Sequence, residues 1–118
     1  MRTVLLAAAL AAGAMIAAPT APASAQVIMT VNHATTGGMT PGACKSKARR
    51  VLDMAGVRYH DETASAIWGI QGEGSWQYMV VMYCLSTRDV VVFTAAGADR
   101  NQTQPLVDRM LDAWNRTQ

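Results

Sequence analysis

The chain has few of the side chains that catalysis near neutral pH requires. It contains two histidines among 118 residues. Histidine is the one side chain whose ordinary pKa lies between pH 5 and 8, so His33 and His60 are the only candidates for a general base. Neither lies in a nucleophile motif, because Gly72-Glu73-Gly74-Ser75 lacks the Gly-x-Ser-x-Gly order. The sequence therefore names no catalytic residue and favours a protein that is not an enzyme.

Metal-binding patterns are scarce as well. His33 and His60 are the weak candidates for ligands, and the acidic pair after His60 lies on a segment whose adjacent side chains point in different directions. The eight methionines offer thioethers for Cu(I), but Met79 and Met82 are three apart and face opposite sides of a predicted strand. We expect no cofactor and no metal.

The chain also lacks an excess of either charge. Ten Lys and Arg residues stand against eight Asp and Glu residues, and Arg2 belongs to the leader described next. The only basic cluster, Lys45 to Arg50, is predicted on the solvent side of a helix. Proteins that bind nucleic acid usually carry a basic stripe. We expect no nucleic-acid partner.

Long apolar runs are confined to the beginning of the chain. After Met1-Arg2, the run Val4–Ala18 has the length of a signal-peptide core and is shorter than the ~20 residues that span a bilayer. Small residues at Ala23 and Ala25 fit the −3 and −1 positions of signal peptidase. Residues 1–25 are thus predicted to be a cleavable signal peptide, and 26–118 a single compact domain, periplasmic or secreted, with no transmembrane segment.

Cys44 and Cys84 are the only cysteines. In an oxidising compartment two such cysteines pair by default, and their spacing fits no CxxC redox or zinc pattern. The sequence predicts a disulfide bond that closes a loop of about 41 residues, for which chain entropy gives about 4 kcal/mol. A reactive thiol or a metal pair is the alternative.

Periodicity predicts the secondary structure. Alternation of apolar and other residues predicts a strand over Val27–Val31. An apolar stripe from Cys44 to Ala55 predicts a helix that begins at Thr40-Pro41 and ends at Gly56. Arg58–Glu62 is predicted to be a polar link. The remaining predictions are strands around Ala64–Ile70, Trp76–Leu85 and Val90–Ala96, then a helix with Pro105 near its start that ends at about Arg116.

The resulting β-α-β-β-β-α order predicts an α+β two-layer sandwich, with two helices on one face of a mainly antiparallel sheet. Cys84 must face the helices to bond Cys44, so residues of the other parity in that strand face away from them. These are Met79, Val81, Tyr83 and Leu85, joined by one set from the neighbouring strand, either Val90 and Val92 or Val91 and Phe93.

An apolar sheet face of that size usually marks a binding surface on a monomer. The candidate binding face is therefore Met79, Val81, Tyr83 and Leu85, and its partner is an envelope protein, an apolar ligand or a second copy as a homodimer. In the alternative, the sheet curls or the N-terminal segment crosses it, and the face is buried within the monomer. The competing function is a small enzyme or metal-handling protein that uses His33 and His60.

One arrangement supports an envelope location. An early helix contains Cys44, two strands contain Trp68-Gly69 and Tyr83-Cys84, and Ala95-Ala96-Gly97 precedes a final helix. This arrangement resembles small exported bacterial families that have one disulfide and no assigned function. The resemblance covers most of the chain after the signal peptide. It implies a Gram-negative periplasmic protein and supplies no catalytic residue.

Export predicts a specific mass. Protein recovered from the exported fraction should begin at Gln26 and be two hydrogens lighter than the reduced chain, as intact-mass spectrometry would show. A mass that retains residues 1–25, or that carries two free thiols, would contradict the exported, disulfide-bonded form.

Overall fold

The computed structural model describes residues 26–74 and 77–117. The predicted signal peptide, and Trp76 at the start of a predicted strand, lie outside this part. Seven regular elements and one 3-10 turn, Ser86–Arg88, follow one another along it. The strands are β1 (Ile28–Thr35), β2 (Arg58–Glu62), β3 (Ala66–Gln71), β4 (Tyr78–Leu85) and β5 (Val90–Gly97), and the helices are α1 (Pro41–Ala55) and α2 (Arg100–Arg116). Within the described ranges, no helix has the length and apolar character needed to cross a membrane.

The five strands form one sheet in the order β1-β5-β4-β3-β2, and each neighbouring pair is antiparallel. The α+β fold class and the predicted order of elements are confirmed. The structure adds β2, because the segment predicted as a polar link pairs with β3. The sequence did not predict this strand because its residues are polar, and an edge strand needs no alternating apolar pattern.

Helix α1 begins and ends where its sequence signals are. The Thr40 side chain accepts a hydrogen bond from the Ala43 N–H at 3.2 Å, and Pro41 occupies the first turn, where its missing N–H costs nothing. Gly56 ends the helix at φ 74°, a left-handed conformation that glycine adopts without strain.

Helix α2 begins earlier than Pro105 suggested. Asp99 caps the helix by accepting a hydrogen bond from the Asn101 N–H at 2.8 Å, so the helix starts at Arg100 and includes Pro105. The helix ends at Arg116, as predicted. The additional turn brings Thr103 over β1, where its hydroxyl lies 2.8 Å from that of Thr30.

The predicted disulfide is present and joins the two layers. Cys44 of α1 and Cys84 of β4 are bonded, with their Cα atoms 6.0 Å apart. Both are buried in a core in which side chains of α1, α2 and the facing sheet side pack together. On β4 the buried residues are Val80, Met82 and Cys84. The sheet therefore has the predicted orientation, with the other parity facing away from the helices.

The basic cluster of α1 is only partly a solvated face. Lys47 is 8% exposed, and its Nζ lies 4.5 Å from the centroid of the Trp114 ring of α2, a cation–π contact. Burial, together with the charge of Arg50, lowers the pKa of Lys47. Lys45 and Arg49 both pair with Glu62 of β2. The prediction that the whole cluster faces solvent was wrong, because the long lysine stem packs between the helices.

Asp89 ties the beginning of β5 to the end of β1. Its carboxylate accepts hydrogen bonds from the Thr36 hydroxyl at 2.6 Å, the Gly38 N–H at 2.8 Å and the Thr35 hydroxyl at 2.9 Å. These donors, the Thr36 hydroxyl first, hold the pKa of Asp89 below its ordinary value. The ionised carboxylate therefore stabilises this corner at neutral pH, and the contribution is lost as pH falls through the lowered pKa.

Loss of the disulfide should destabilise the domain strongly. The Cys44→Ala, Cys84→Ala double variant should lose about 4 kcal/mol of unfolding free energy, because the 40-residue separation frees a long loop in the unfolded chain. Urea unfolding monitored by circular dichroism measures the loss. Reduced wild-type protein is the control, since it opens the same loop without removing side-chain volume. Equal stability of reduced and oxidised wild type would contradict the assigned role of the bond.

Candidate functional site

The sheet face that points away from the helices, called the open face below, carries aligned rows of side chains. Residues paired directly across antiparallel strands share a face, so the register defines these rows. They are Met29-Ala96-Met79-Ile70, Val31-Thr94-Val81-Trp68, His33-Val92-Tyr83-Ala66 and Thr35-Val90-Leu85. The four predicted face residues of β4 thus lie in the middle strand of the surface, and Val90 and Val92 are the set from β5 that joins them.

Much of the open face is accessible to solvent. Met79 is 52% exposed, and Tyr83 and Leu85 are exposed as well, whereas Val81 at the centre is half-buried by its neighbours. The alternative, in which this face is buried inside the monomer, does not hold for Met79, Tyr83 and Leu85, because they are exposed. An accessible apolar surface across four strands is uncommon on a protein that acts alone.

Charge is confined to the margins of the open face. One charge is that of Asp89, whose carboxylate accepts a hydrogen bond from the Thr35 hydroxyl at the end of the last row. The rows listed above contain no Asp, Glu, Lys or Arg residue. Arg58 and Asp61 enter only where β2 pairs with β3, opposite Ile70 and Trp68. The interior of the surface is therefore suited to apolar contact, and the margin at β2 offers both signs of charge to a partner.

One end of the open face is hollowed into a shallow pocket of about 370 Å³. Its lining is mostly apolar and consists of Val27, Ile70, Gln77, Tyr78, Met79, Ala96 and Gly97. Gly97 is required for this shape, because a Cβ at that position would collide with the Tyr78 ring. The pocket is large enough for an apolar side chain and contains no charged group among its lining residues.

Trp68 has an unsatisfied donor beside the open face. Its indole Nε1 is buried and donates to no acceptor in the described part of the chain. The ring lies 6.5 Å from that of His60, between centroids. A buried indole N–H without an acceptor carries a desolvation cost. Trp114 is the contrasting case, since its Nε1 donates to the Thr35 carbonyl at 3.2 Å.

The two histidines do not form a common site. His33 is on β1 and His60 on β2, the opposite edges of the sheet, about 19 Å apart at four strand spacings. Over residues 26–74 and 77–117, no three His, Cys, Asp or Glu side chains are grouped as metal ligands would be. Catalysis or metal handling that needs both imidazoles at one centre has no support in this geometry.

The sequence does not predict that β1 and β3 contribute to the open face. It places Met29 and Val31 in a strand without identifying the neighbouring strand, and Trp68 and Ile70 in a strand without a register. The alternation of Met29 and Val31 indicates a strand, but their place next to β5 depends on pairing between the two ends of the domain. Local pattern carries no information on that pairing.

Replacement by phenylalanine should change the unfolding free energy differently at the two tryptophans. Trp68→Phe removes a donor that has no acceptor, so the unfolding free energy should stay within about 0.5 kcal/mol of wild type or rise. Trp114→Phe removes the hydrogen bond to Thr35 and weakens the contact with Lys47, and should cost about 1–2 kcal/mol. Denaturant unfolding of both variants measures the difference, and a larger loss in Trp68→Phe would contradict the assignment.

Comparisons with protein-family models, curated proteins and solved structures give no significant match to the chain. The observations that bear on function are therefore the uncharged apolar rows, the pocket at their end and the separation of the histidines.

Proposed function

We propose that the protein is an exported, periplasmic binding module that uses its open face to bind the apolar surface of a partner protein. The observation that carries the proposal is the accessible, uncharged set of rows across β1, β5, β4 and β3. A sheet covered by helices on one side needs no such composition on the other, which is polar in most antiparallel sheets of this kind.

The composition of the surface supports a protein partner. Aromatic residues and methionine are enriched at protein interfaces, and the open face presents Met29, Met79, Tyr83 and Trp68. Charged residues are depleted from the centre of interfaces and tolerated at their rim, which is the distribution found here.

The dimensions of the surface support the same conclusion. The four strands that carry the rows, spaced about 4.8 Å apart, give a width of about 19 Å, and their six to eight residues give a length of about 20–27 Å. The flat projection is then about 450 Å², more than half of the ~800 Å² that each partner contributes to a specific interface, and side-chain relief and the β2 margin add to it. Outside the pocket, the surface is too flat to enclose a small ligand.

The pocket is the part of the proposed interface where we expect the strongest contact. Interfaces concentrate binding energy where a side chain of one partner fills an apolar pocket of the other. Met79 belongs both to the rows and to the pocket lining, so a change at this residue disturbs both features. It also has a matched control, because Met54 on α1 is 53% exposed against 52% for Met79.

The test compares Met79→Glu with Met54→Glu. A photo-crosslinking residue at Tyr83 in cells that export the protein should give one discrete adduct, which mass spectrometry identifies, and Met79→Glu should abolish that adduct. The identified partner, purified separately, should bind wild type and Met54→Glu equally and Met79→Glu about tenfold or more weakly, since a charge then enters an apolar contact. The unfolding free energies of both variants should lie within about 0.5 kcal/mol of the wild-type value because the residues are exposed.

Equal binding by the two variants would show that the open face does not bind the partner. A small molecule that copurifies with wild type, is seen as added mass in native spectrometry and is lost in Met79→Glu would identify an apolar ligand as the occupant instead. That result would overturn the assignment of a protein partner.

A further inference from the structure

The two edges of the sheet differ in how they are protected against pairing with another strand. Edge strands in natural proteins are usually shortened, bulged or charged, since they present unpaired N–H and C=O groups. The β2 edge meets these conditions, with five residues, a register shift between Tyr59 and Asp61, and charges at Arg58, Asp61 and Glu62. Its Glu62 N–H is also bonded to the Asp61 carboxylate at 2.8 Å.

The β1 edge is neither shortened, bulged nor charged. It is eight residues long, and its sequence IMTVNHAT contains no proline and no Asp, Glu, Lys or Arg. Its pairing with β5 runs from Ile28 to Thr35 without a register shift. An edge strand of this length and composition is a template for addition of another strand.

Hydrogen bonds at the end of β1 show which of its backbone groups point outward. The Thr36 N–H bonds to the Asp89 carbonyl, so the even-numbered residues of this strand face β5 with their N–H and C=O groups. The odd-numbered residues face outward, and two of them have one backbone group each that is bonded within the chain. The His33 N–H donates to the Asn32 side chain at 2.8 Å, and the Thr35 carbonyl accepts from Trp114.

Met29 and Val31 are left with outward N–H and C=O groups that have no partner in the described part of the chain. Their side chains lie on the open face and are 65% and 57% exposed, more than Met79 in the middle of the sheet. The unpaired backbone and the exposed apolar side chains therefore coincide on one short stretch of the edge.

We infer that β1 pairs with β1 of a second copy, antiparallel and centred within Met29–Val31, to form a two-fold symmetric dimer with a continuous ten-stranded sheet. A two-fold interface requires a self-complementary surface, and an uncharged strand meets its copy without like-charge repulsion. The two-fold axis stands perpendicular to the sheet. Both open faces then lie on the same side and join across Met29 and Val31.

Helix α2 adds a second layer to the interface. It lies over β1 and β5, with Thr103 against Thr30 and Trp114 against Phe93. Pairing of the two β1 strands therefore brings the two α2 axes to about 10 Å from each other, the usual distance for packed helices. A specific interface needs about 1,000 Å² in total, and one strand pair reaches that lower limit only together with the helix layer. The dimer should therefore depend on concentration.

Backbone substitution tests the pairing. Val31→Pro removes an N–H that makes no bond to β5, so it should leave the fold intact while raising the dimer dissociation constant about tenfold or more. Val31→Thr keeps the N–H and the branched shape and should dimerise like wild type. Sedimentation equilibrium of the exported protein measures the constants, and thermal unfolding verifies that each variant is folded.

Two further measurements keep the inference falsifiable if Val31→Pro does not fold. Met79→Glu changes the open face away from the edge and should leave the dimer unaffected. Amide hydrogen exchange at Met29 and Val31 should slow as wild-type concentration rises, and exchange at Tyr59 on the β2 edge should not. A wild type that stays monomeric at millimolar concentration would overturn the inference. So would a dimer broken by Met79→Glu but kept in a folded Val31→Pro, which would place the contact on the open face.

Discussion

The disulfide between Cys44 and Cys84 is the constraint on which the rest of the structure depends. It ties the buried stripe of α1 to one parity of β4, so it decides which sheet face is covered by the helices. Strand side chains alternate, and every residue of the opposite parity is then assigned to the open face. A covalent bond between two layers thus determines both where the core lies and which apolar residues remain accessible.

The accessible side of the sheet is unusual because it is apolar without being needed for the core. The helix-facing side already buries Val80, Met82 and Phe93 completely. Burial of the open face would release further apolar surface from water, and about 25 cal/mol per Å² makes even part of it a substantial driving force for association. Association costs translational and rotational freedom, so area alone does not set the affinity. The pocket beside Met79 and the uncharged edge at β1 are where contacts can offset that cost.

Polar interactions fix the margins of the sheet and leave its centre apolar. Asp89 accepts hydrogen bonds from the turn between β1 and α1. Glu62 of β2 forms ion pairs with Lys45 and Arg49 of α1. Both carboxyl groups have pKa values below their ordinary range, held there by their hydrogen-bond donors. These contacts lie on the helix side or at strand ends. Apart from the Thr35 hydroxyl, the groups that stabilise the fold therefore lie outside the surface proposed to bind.

The sequence by itself determined the elements whose signals are local: the α1 boundaries at Thr40 and Gly56, the alternation of β4, and the pairing of the only two cysteines. It did not predict β2, whose polar residues are held by pairing with β3, or the first turn of α2, which Asp99 caps ahead of Pro105. The tertiary structure alone decided the strand order, the burial of Lys47 and the rows of the open face. Those features depend on contacts between residues far apart in the chain, and local periodicity specifies which face a side chain takes but not which strand lies beside it.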